Sequence, residues 1–198
     1  MPRLILGGTF NPIHHGHLAC SRAVAEAMYF SHVTLIPTGQ PPHKDAPANM
    51  AGPADRLAMA QLAVANDAFF SVDDLEIKRP HKSYTRDTVA ELKARGEQTI
   101  HWLIGADMLL YLPHWRHIDE LLHEVNFVII ARPGWTLDWS ALPPVFAHLK
   151  KNVVQVPTLS ISSTELRQRI EQGLSIRYLT PDPVCQYIAQ HGLYRRPV

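Results

Sequence analysis

Apolar residues fall along the chain in short, mostly apolar runs, at 4–6, 33–36, 69–72, 75–77, 100–104, 127–130 and 153–156. Their length and their closure by Gly, Pro or a helical pattern predict strands. The runs lack strict alternation, which predicts strands buried on both faces, as a parallel sheet requires. Helix-forming stretches lie between them. Residues 17–28 carry Leu18, Ala25 and Met28 at helical spacing, and 54–66 and 85–95 follow, the latter with Thr85 as a candidate N-cap and Gly96 as a stop. Residues 162–172 open on a Ser162-x-x-Glu165 capping box and stop at Gly173. Residues 181–191 place Val184, Tyr187, Ile188 and His191 at i, i+3, i+4 and i+7 after Thr180-Pro181. The order starts β-α-β-α from the first residues. It predicts an α/β fold: a Rossmann-like doubly wound parallel sheet, helices on both faces, ligands outside the carboxyl ends of the strands, and a helical C-terminal portion from about 160 to 198. The Pro-rich stretch 40–52 reads as a mobile loop and not as a boundary, so 1–198 is expected to be a single domain.

The composition narrows the function. With 46% hydrophobic and 19% charged residues in 198, the chain can bury a sizeable core. Nineteen Lys+Arg against 18 Asp+Glu leave a net charge of +1, which gives no global attraction to nucleic acid or to an anionic membrane. Any anion must be met by a local site. Cys20 and Cys185 lack disulfide or metal spacing, and the longest apolar run, at 125–131, is far short of the roughly 20 residues of a membrane span. The first residues do not read as a signal peptide, so a cytoplasmic location is expected. No oligomeric state follows from these features. The 12 histidines are the odd count.

Candidate chemistry starts at Gly7-Gly8-Thr9-Phe10-Asn11-Pro12-Ile13-His14-His15-Gly16-His17, which lies between the first strand and its helix. The glycines let main-chain N–H groups approach a phosphate, the helix N-terminus adds partial positive charge, and His14 and His17 can reach the same oxygens. The run is neither G-x-G-x-x-G nor a Walker A loop, so it supports neither a dinucleotide redox fold nor a P-loop ATPase. Zinc would need a third ligand that is not nearby in sequence, and no protein-ligated metal is expected. A tight turn with satisfied histidines would explain one His but not His-x-Gly-His after Gly-Gly.

This run resembles the Gly-Gly-Thr-Phe-Asp-Pro-x-His-x-Gly-His signature of the nucleotidyltransferase superfamily, and Ile161-Ser162-Ser163-Thr164-Glu165-Leu166-Arg167 resembles its Ile-Ser-Ser-Thr-x-x-Arg signature. Between and after them, Pro42-His43-Lys44, Ser83-Tyr84-Thr85-x-Asp87-Thr88, Ile104-Gly105-Ala106-Asp107, Trp115, Ala131-Arg132-Pro133 and His191-Gly192-Leu193-Tyr194 are similar to ordered landmarks of the bacterial nicotinate-nucleotide adenylyltransferases. The resemblance covers nearly the whole chain. Asn11 departs from it, standing where the family commonly carries Asp.

The resemblance implies transfer of AMP from ATP to the 5′-phosphate of nicotinate mononucleotide, giving nicotinate adenine dinucleotide and pyrophosphate, with Mg²⁺ accompanying ATP. It implies that His14, His17, Lys44 and Arg167 act on the transferring phosphates. ATP would be bound by Gly7, Gly8, Thr9, Phe10, Gly105, Asp107, Ile161, Ser162 and Ser163 together with these histidines and Arg167. The acceptor would meet Thr9, Lys44, Tyr84, Thr85, Trp115, Arg116 and Arg132, its ring stacked on Trp115 and its carboxylate on main-chain N–H groups near Thr85 and Arg116. Taken alone, Lys44 reads as a solvated loop lysine, Asp107 as a helix cap and Trp115 as core filler. Two other readings stay open: a related adenylyltransferase using nicotinamide mononucleotide or another phosphorylated acceptor, and a nucleotide-sensing module without turnover. The latter would be signalled by loss of a motif histidine or of Lys44, and all three are present.

Overall fold

A computed structural model of the chain describes residues 3–42, 49–132, 134–157 and 159–195. Six strands, β1 (Arg3–Gly8), β2 (His32–Pro37), β3 (Phe70–Val72), β4 (Ile100–Gly105), β5 (Val125–Ala131) and β6 (Val153–Gln155), form one sheet in the order β3-β2-β1-β4-β5-β6. Every pairing is parallel, as expected for the Rossmann-like fold. The described helices are α1 (His15–Ala27), α2 (Pro53–Val64), α3 (Thr85–Ala94), α4 (Ile118–Glu124), α5 (Ser163–Glu171) and α6 (Asp182–Gln190), with short 3₁₀ turns between β4 and α4 and between β5 and β6.

The mostly apolar runs feed two cores, because successive strand residues point to opposite faces. On one face Leu4, Val33, Leu35, Leu103 and Val128 pack with Val24 and Ala25 of α1, Met59 and Ala60 of α2, Leu166 of α5, and Val184 and Ile188 of α6. On the other, Ile5, Ile36, Trp102, Phe127 and Ile129 pack with Val89 and Leu92 of α3 and Leu121 and Leu122 of α4. The split follows from handedness. A right-handed crossover moving from β1 outward to β2 and β3 puts its helices on one face, and one moving outward from β4 in the opposite direction puts them on the other.

Residues 75–77, expected as a strand, form a turn. Asp73 draws the chain round by accepting the Leu75 main-chain N–H at 3.1 Å, and Leu75 then plugs the second core. Helix α4 was not expected; Ile118, Leu121 and Leu122 form a short i, i+3, i+4 stripe that packs on the second core. Helix α3 is capped by Tyr84, with Thr85 as its first residue. No helix among the described residues is long and apolar enough to cross a membrane.

Phe127 is fully buried at the centre of the second core. Phe127→Ala is expected to cost about 3–5 kcal/mol in denaturant unfolding, whereas Leu110→Ala at the exposed surface should stay within about 0.5 kcal/mol of the parent.

Candidate active site

At the carboxyl edge the chain leaving β1 turns toward one face and the chain leaving β4 toward the other, so the ends of these adjacent strands diverge. Two cavities open there. One, of about 550 Å³, is walled by His14, Gly16, His17, Asp107, Arg132, Trp135 and Ile161 among others. The second, of about 300 Å³, is walled by Gly7, Gly8, Thr9, Thr38, Glu76, Ser83, Tyr84, Thr85, Trp102, Trp115 and Arg116 among others. Leu6, Leu103 and Gly105 line both, so the cavities are neighbours across the ends of β1 and β4. Gly7 sets their boundary: a Cβ there would stand 2.6 Å from Trp102 Cζ2, so only glycine lets the indole cross β1.

In the larger cavity His14 caps α1 and its main-chain N–H donates to His17 Nδ1 at 3.2 Å. The two rings stack at 3.7 Å, and Phe10 meets His17 edge-on at 5.1 Å. With Nδ1 taken as an acceptor, the neutral His17 ring carries its proton on Nε2, which makes that edge a hydrogen-bond donor. Burial, helped by the nearby His15, lowers the His14 pKa to about 4, and burial followed by His14 holds His17 well below the usual histidine value. Both rings are therefore neutral near pH 7. His14 Nδ1 is buried without a hydrogen-bond partner among the described residues.

Helix α5 is tied to this loop across a long sequence separation. Ser163 Oγ donates to the Pro12 carbonyl at 2.8 Å, and Arg167 Nη1 donates to the Asn11 carbonyl at 2.8 Å. Ser162 Oγ accepts the Glu165 main-chain N–H at 3.1 Å, the expected cap, and so is turned to its own helix. Asn11 is buried, and its Oδ1 accepts both the Ala51 main-chain N–H and the Tyr194 hydroxyl. An acceptor oxygen suffices for both contacts, which is how Asn serves where the resembling family carries Asp. Burial raises the Tyr194 pKa, so that hydroxyl keeps its proton and stays a donor.

In the smaller cavity Trp115 packs edge-on against Phe127, with centroids 6.1 Å apart, and Arg116 lies over the Tyr84 ring at 5.0 Å. The first turn of α3, starting at Thr85, brings main-chain N–H groups that have no partner within the helix. Glu76 lies in the wall and accepts the Thr88 hydroxyl at 2.6 Å. Burial raises its pKa against the opposing effects of Thr88, Arg79, Ser83 and Thr38.

Many of the expected residues are thus gathered at one edge, but Phe10, Ser162, Ser163 and Arg167 line neither cavity, Ser162 being turned to its own helix and Ser163 and Arg167 to the β1–α1 loop. Arg132, expected beside the acceptor, lines the cavity of His14 and His17. Lys44 lies outside the described residues. Sequence reasoning missed Trp135, Glu76 and Arg56 and gave no role to Ser83, although it stands in the Ser83-Tyr84-Thr85 landmark. Of the three missed, only Arg56 carried a usable signal, a charge at the i position of the i, i+3, i+4 stripe it shares with Met59 and Ala60.

Residues 5–169 match the cytidylyltransferase-like family. The protein named "Probable nicotinate-nucleotide adenylyltransferase" in Roseiflexus sp. (strain RS-1) is 46% identical over 193 residues, 96% of each chain, and its namesake in Oceanobacillus iheyensis is 42% identical over 191 residues, 96% of this chain and 95% of the other. The chain belongs to the cytidylyltransferase-like family, among the nicotinate-nucleotide adenylyltransferases. Among solved structures, it shares its fold with the Plasmodium falciparum nicotinic acid mononucleotide adenylyltransferase complexed with NaAD. The TM-score is 0.77 at 22% identity, covering 97% of this chain and 96% of that one. The family fold therefore holds over the whole edge that carries the paired cavities.

The buried His14 makes folding of this adenylyltransferase-family chain pH-dependent. Its folded pKa of about 4 lies below the unfolded value of 6.5, so the unfolded chain takes up this proton first. The His14 contribution is complete above pH 6.5 and is lost as pH falls toward 4, by up to about 3 kcal/mol. In His14→Gln that loss should vanish, so the stability difference between parent and variant should shift by that amount between pH 7 and 4.5 in urea titrations. A pH-independent difference would mean that His14 titrates freely in the folded state.

Proposed function

We propose that this protein transfers AMP from MgATP to the 5′-phosphate of nicotinate mononucleotide, releasing pyrophosphate and forming nicotinate adenine dinucleotide. The carrying observation is the pair of cavities sharing Leu6, Leu103 and Gly105, one bearing stacked neutral imidazoles and the other an indole and a helix N-terminus. The names of the Roseiflexus and Oceanobacillus relatives support the same reading.

In the reaction a 5′-phosphate oxygen of the acceptor bonds to the α-phosphorus of ATP while the bond from that phosphorus to the bridging oxygen breaks and pyrophosphate leaves. The phosphate is a nucleophile already, so catalysis rests on alignment and on neutralising charge. His17 Nε2–H, with His14 beside it, serves as a donor to the triphosphate. Its neutrality in the free protein avoids two cations in contact, and the arriving anion then favours the charged form. Arg167 keeps donors beyond those on Asn11 and Thr164, and Ser163 and Ile161 stand at the entry to α5. Gly7, Gly8, Thr9 and Phe10 bring main chain to the phosphates. Gly105 and Asp107 take ribose and adenine, with Trp135 and Arg132 beside them. Lys44 adds a further positive charge on the phosphates. Mg²⁺ would enter with ATP and neutralise part of the charge on its phosphates.

The acceptor lies on the other side of Gly105, its pyridine on Trp115 and its carboxylate on N–H groups near Thr85 and Arg116, with Tyr84 closing the wall. Charge-assisted hydrogen bonds to an acid have no equal in an amide, so nicotinate mononucleotide should be preferred over nicotinamide mononucleotide by about 10²-fold or more in kcat/KM. Trp115→Ala should weaken both and leave the ratio nearly constant; equal use of the two acceptors would instead favour the amide-using reading.

His17→Ala should lower kcat by about 10²–10⁴-fold with little change in Tm, the range for loss of one preorganised donor. Pyrophosphate release measured with MgATP and nicotinate mononucleotide checks this. Parent-like turnover would remove His17 from the phosphate role.

A further inference from the structure

Arg56 is the largest side chain with no exposure, and a buried guanidinium is costly unless its donors are satisfied. Among the described residues, the groups its donors meet are main-chain carbonyls and not carboxylates. Nε donates to the Ala51 carbonyl at 3.1 Å, Nη1 to the carbonyls of Thr9, at 2.9 Å, and Thr38, and Nη2 to the Gly39 carbonyl at 2.8 Å. The planar fork thus joins the loop leaving β1, the loop leaving β2 and the chain entering α2.

The position of these contacts is what points beyond fold stability. The β1–β2 ladder runs to Gly8 and Pro37 and ends with the Thr38 N–H donating to the Gly8 carbonyl at 2.9 Å. Arg56 takes hold immediately past that end, where the sheet no longer constrains the chain. Thr9 and Thr38, two of the residues it holds, line the smaller cavity.

The same short segment is gripped from its other side. Ser83 Oγ accepts the main-chain N–H groups of Gly39 at 3.0 Å and Gln40 at 3.3 Å, and the Ser83 N–H donates to the Gln40 carbonyl at 2.9 Å. Gly39 fits because a Cβ there would run into the Glu76 carbonyl. This segment is therefore held from one side by Arg56, through the Thr38 and Gly39 carbonyls, and from the other by Ser83, through the Gly39 and Gln40 N–H groups and the Gln40 carbonyl.

We propose that Arg56 is a positioning residue for the acceptor half of the site. Through the Thr9, Thr38 and Gly39 carbonyls it sets the two loops that wall the smaller cavity at the separation the acceptor mononucleotide needs, without touching that ligand. The inference rests on the functional reading above for the identity of the acceptor, and not for the clamp itself. Lysine keeps the charge but not the planar fork, so it cannot reproduce donors to three chain segments at once.

Two measurements on Arg56→Lys and Ser83→Ala test this. Kinetics with MgATP and nicotinate mononucleotide should show the acceptor KM rising at least 10-fold in Arg56→Lys and about 3–10-fold in Ser83→Ala, with the ATP KM within about 3-fold of the parent in both. A parent-like acceptor KM, or equal rises for both substrates, overturns the proposal. Amide hydrogen exchange without any ligand is the second measurement, and it does not depend on what the acceptor is. Exchange at residues 38–40 should rise at least 10-fold in both variants while β2 amides at Leu35 and Ile36 keep parental protection. Loss of protection throughout β2 would show a purely structural role and overturn the proposal. Should Arg56→Lys not fold, Ser83→Ala, which leaves the Arg56 guanidinium and its carbonyl partners in place, decides by the same two outcomes. If the parent neither binds nor turns over nicotinate mononucleotide, the functional reading fails, and the exchange result still decides the clamp.

Discussion

The right-handed crossover governs this molecule. A parallel strand can be rejoined from only one side of the sheet for a given direction of travel, so a chain that winds from β1 outward and then starts again at β4 must place its helices on opposite faces. The loops leaving β1 and β4 then part company, and the gap between them cannot be filled by either helix layer. Two cavities meeting at Leu6, Leu103 and Gly105 are the result. A reaction joining two phosphorylated molecules needs two adjoining sites, and this topology supplies them before any side chain is specialised.

The electrostatics of the edge are local. A net charge of +1 gives no long-range pull on a polyanion, and the anion-binding capacity comes from short-range groups. Main-chain N–H groups at helix starts, the Nε2–H of a neutral imidazole and the spare donors of Arg167 cost little to keep in the empty site. Two permanently charged imidazoles 3.7 Å apart would repel, and burial avoids this by keeping both neutral until an anion changes the balance.

The supporting groups answer a different problem, that of holding loops once the sheet ends. Asn11 gathers Ala51, Tyr194 and Arg167 around one residue through its side-chain and main-chain oxygens. Arg56 and Ser83 do the same for residues 38–40. Buried carbonyl and N–H groups demand partners wherever they lie, so satisfying them doubles as a means of fixing the walls of a cavity.

Short-range pattern was enough to specify most of the elements. Largely apolar runs marked β1, β2, β4 and β5 because strands covered on both faces have no polar side, and the Ser162 cap and Gly173 stop bracketed α5 because they act within one turn. The Gly-Gly and His-x-Gly-His run stood out as a candidate phosphate loop for the same reason, its residues being contiguous. Tertiary structure alone decided that β1 sits between β2 and β4, that 75–77 turns where it had the composition of a strand, that Arg132 faces the imidazoles, and that Glu76 lies inside. Each of these depends on partners brought in from afar. Tyr194 meets Asn11 across 183 residues and Ser163 meets Pro12 across 151, and Arg56 is tolerable in a core only because four carbonyls from three chain segments converge on it. Burial and hydrogen bonding of this kind are properties of the assembled fold, set by the free energy of the whole packing and not by the residues adjacent in sequence.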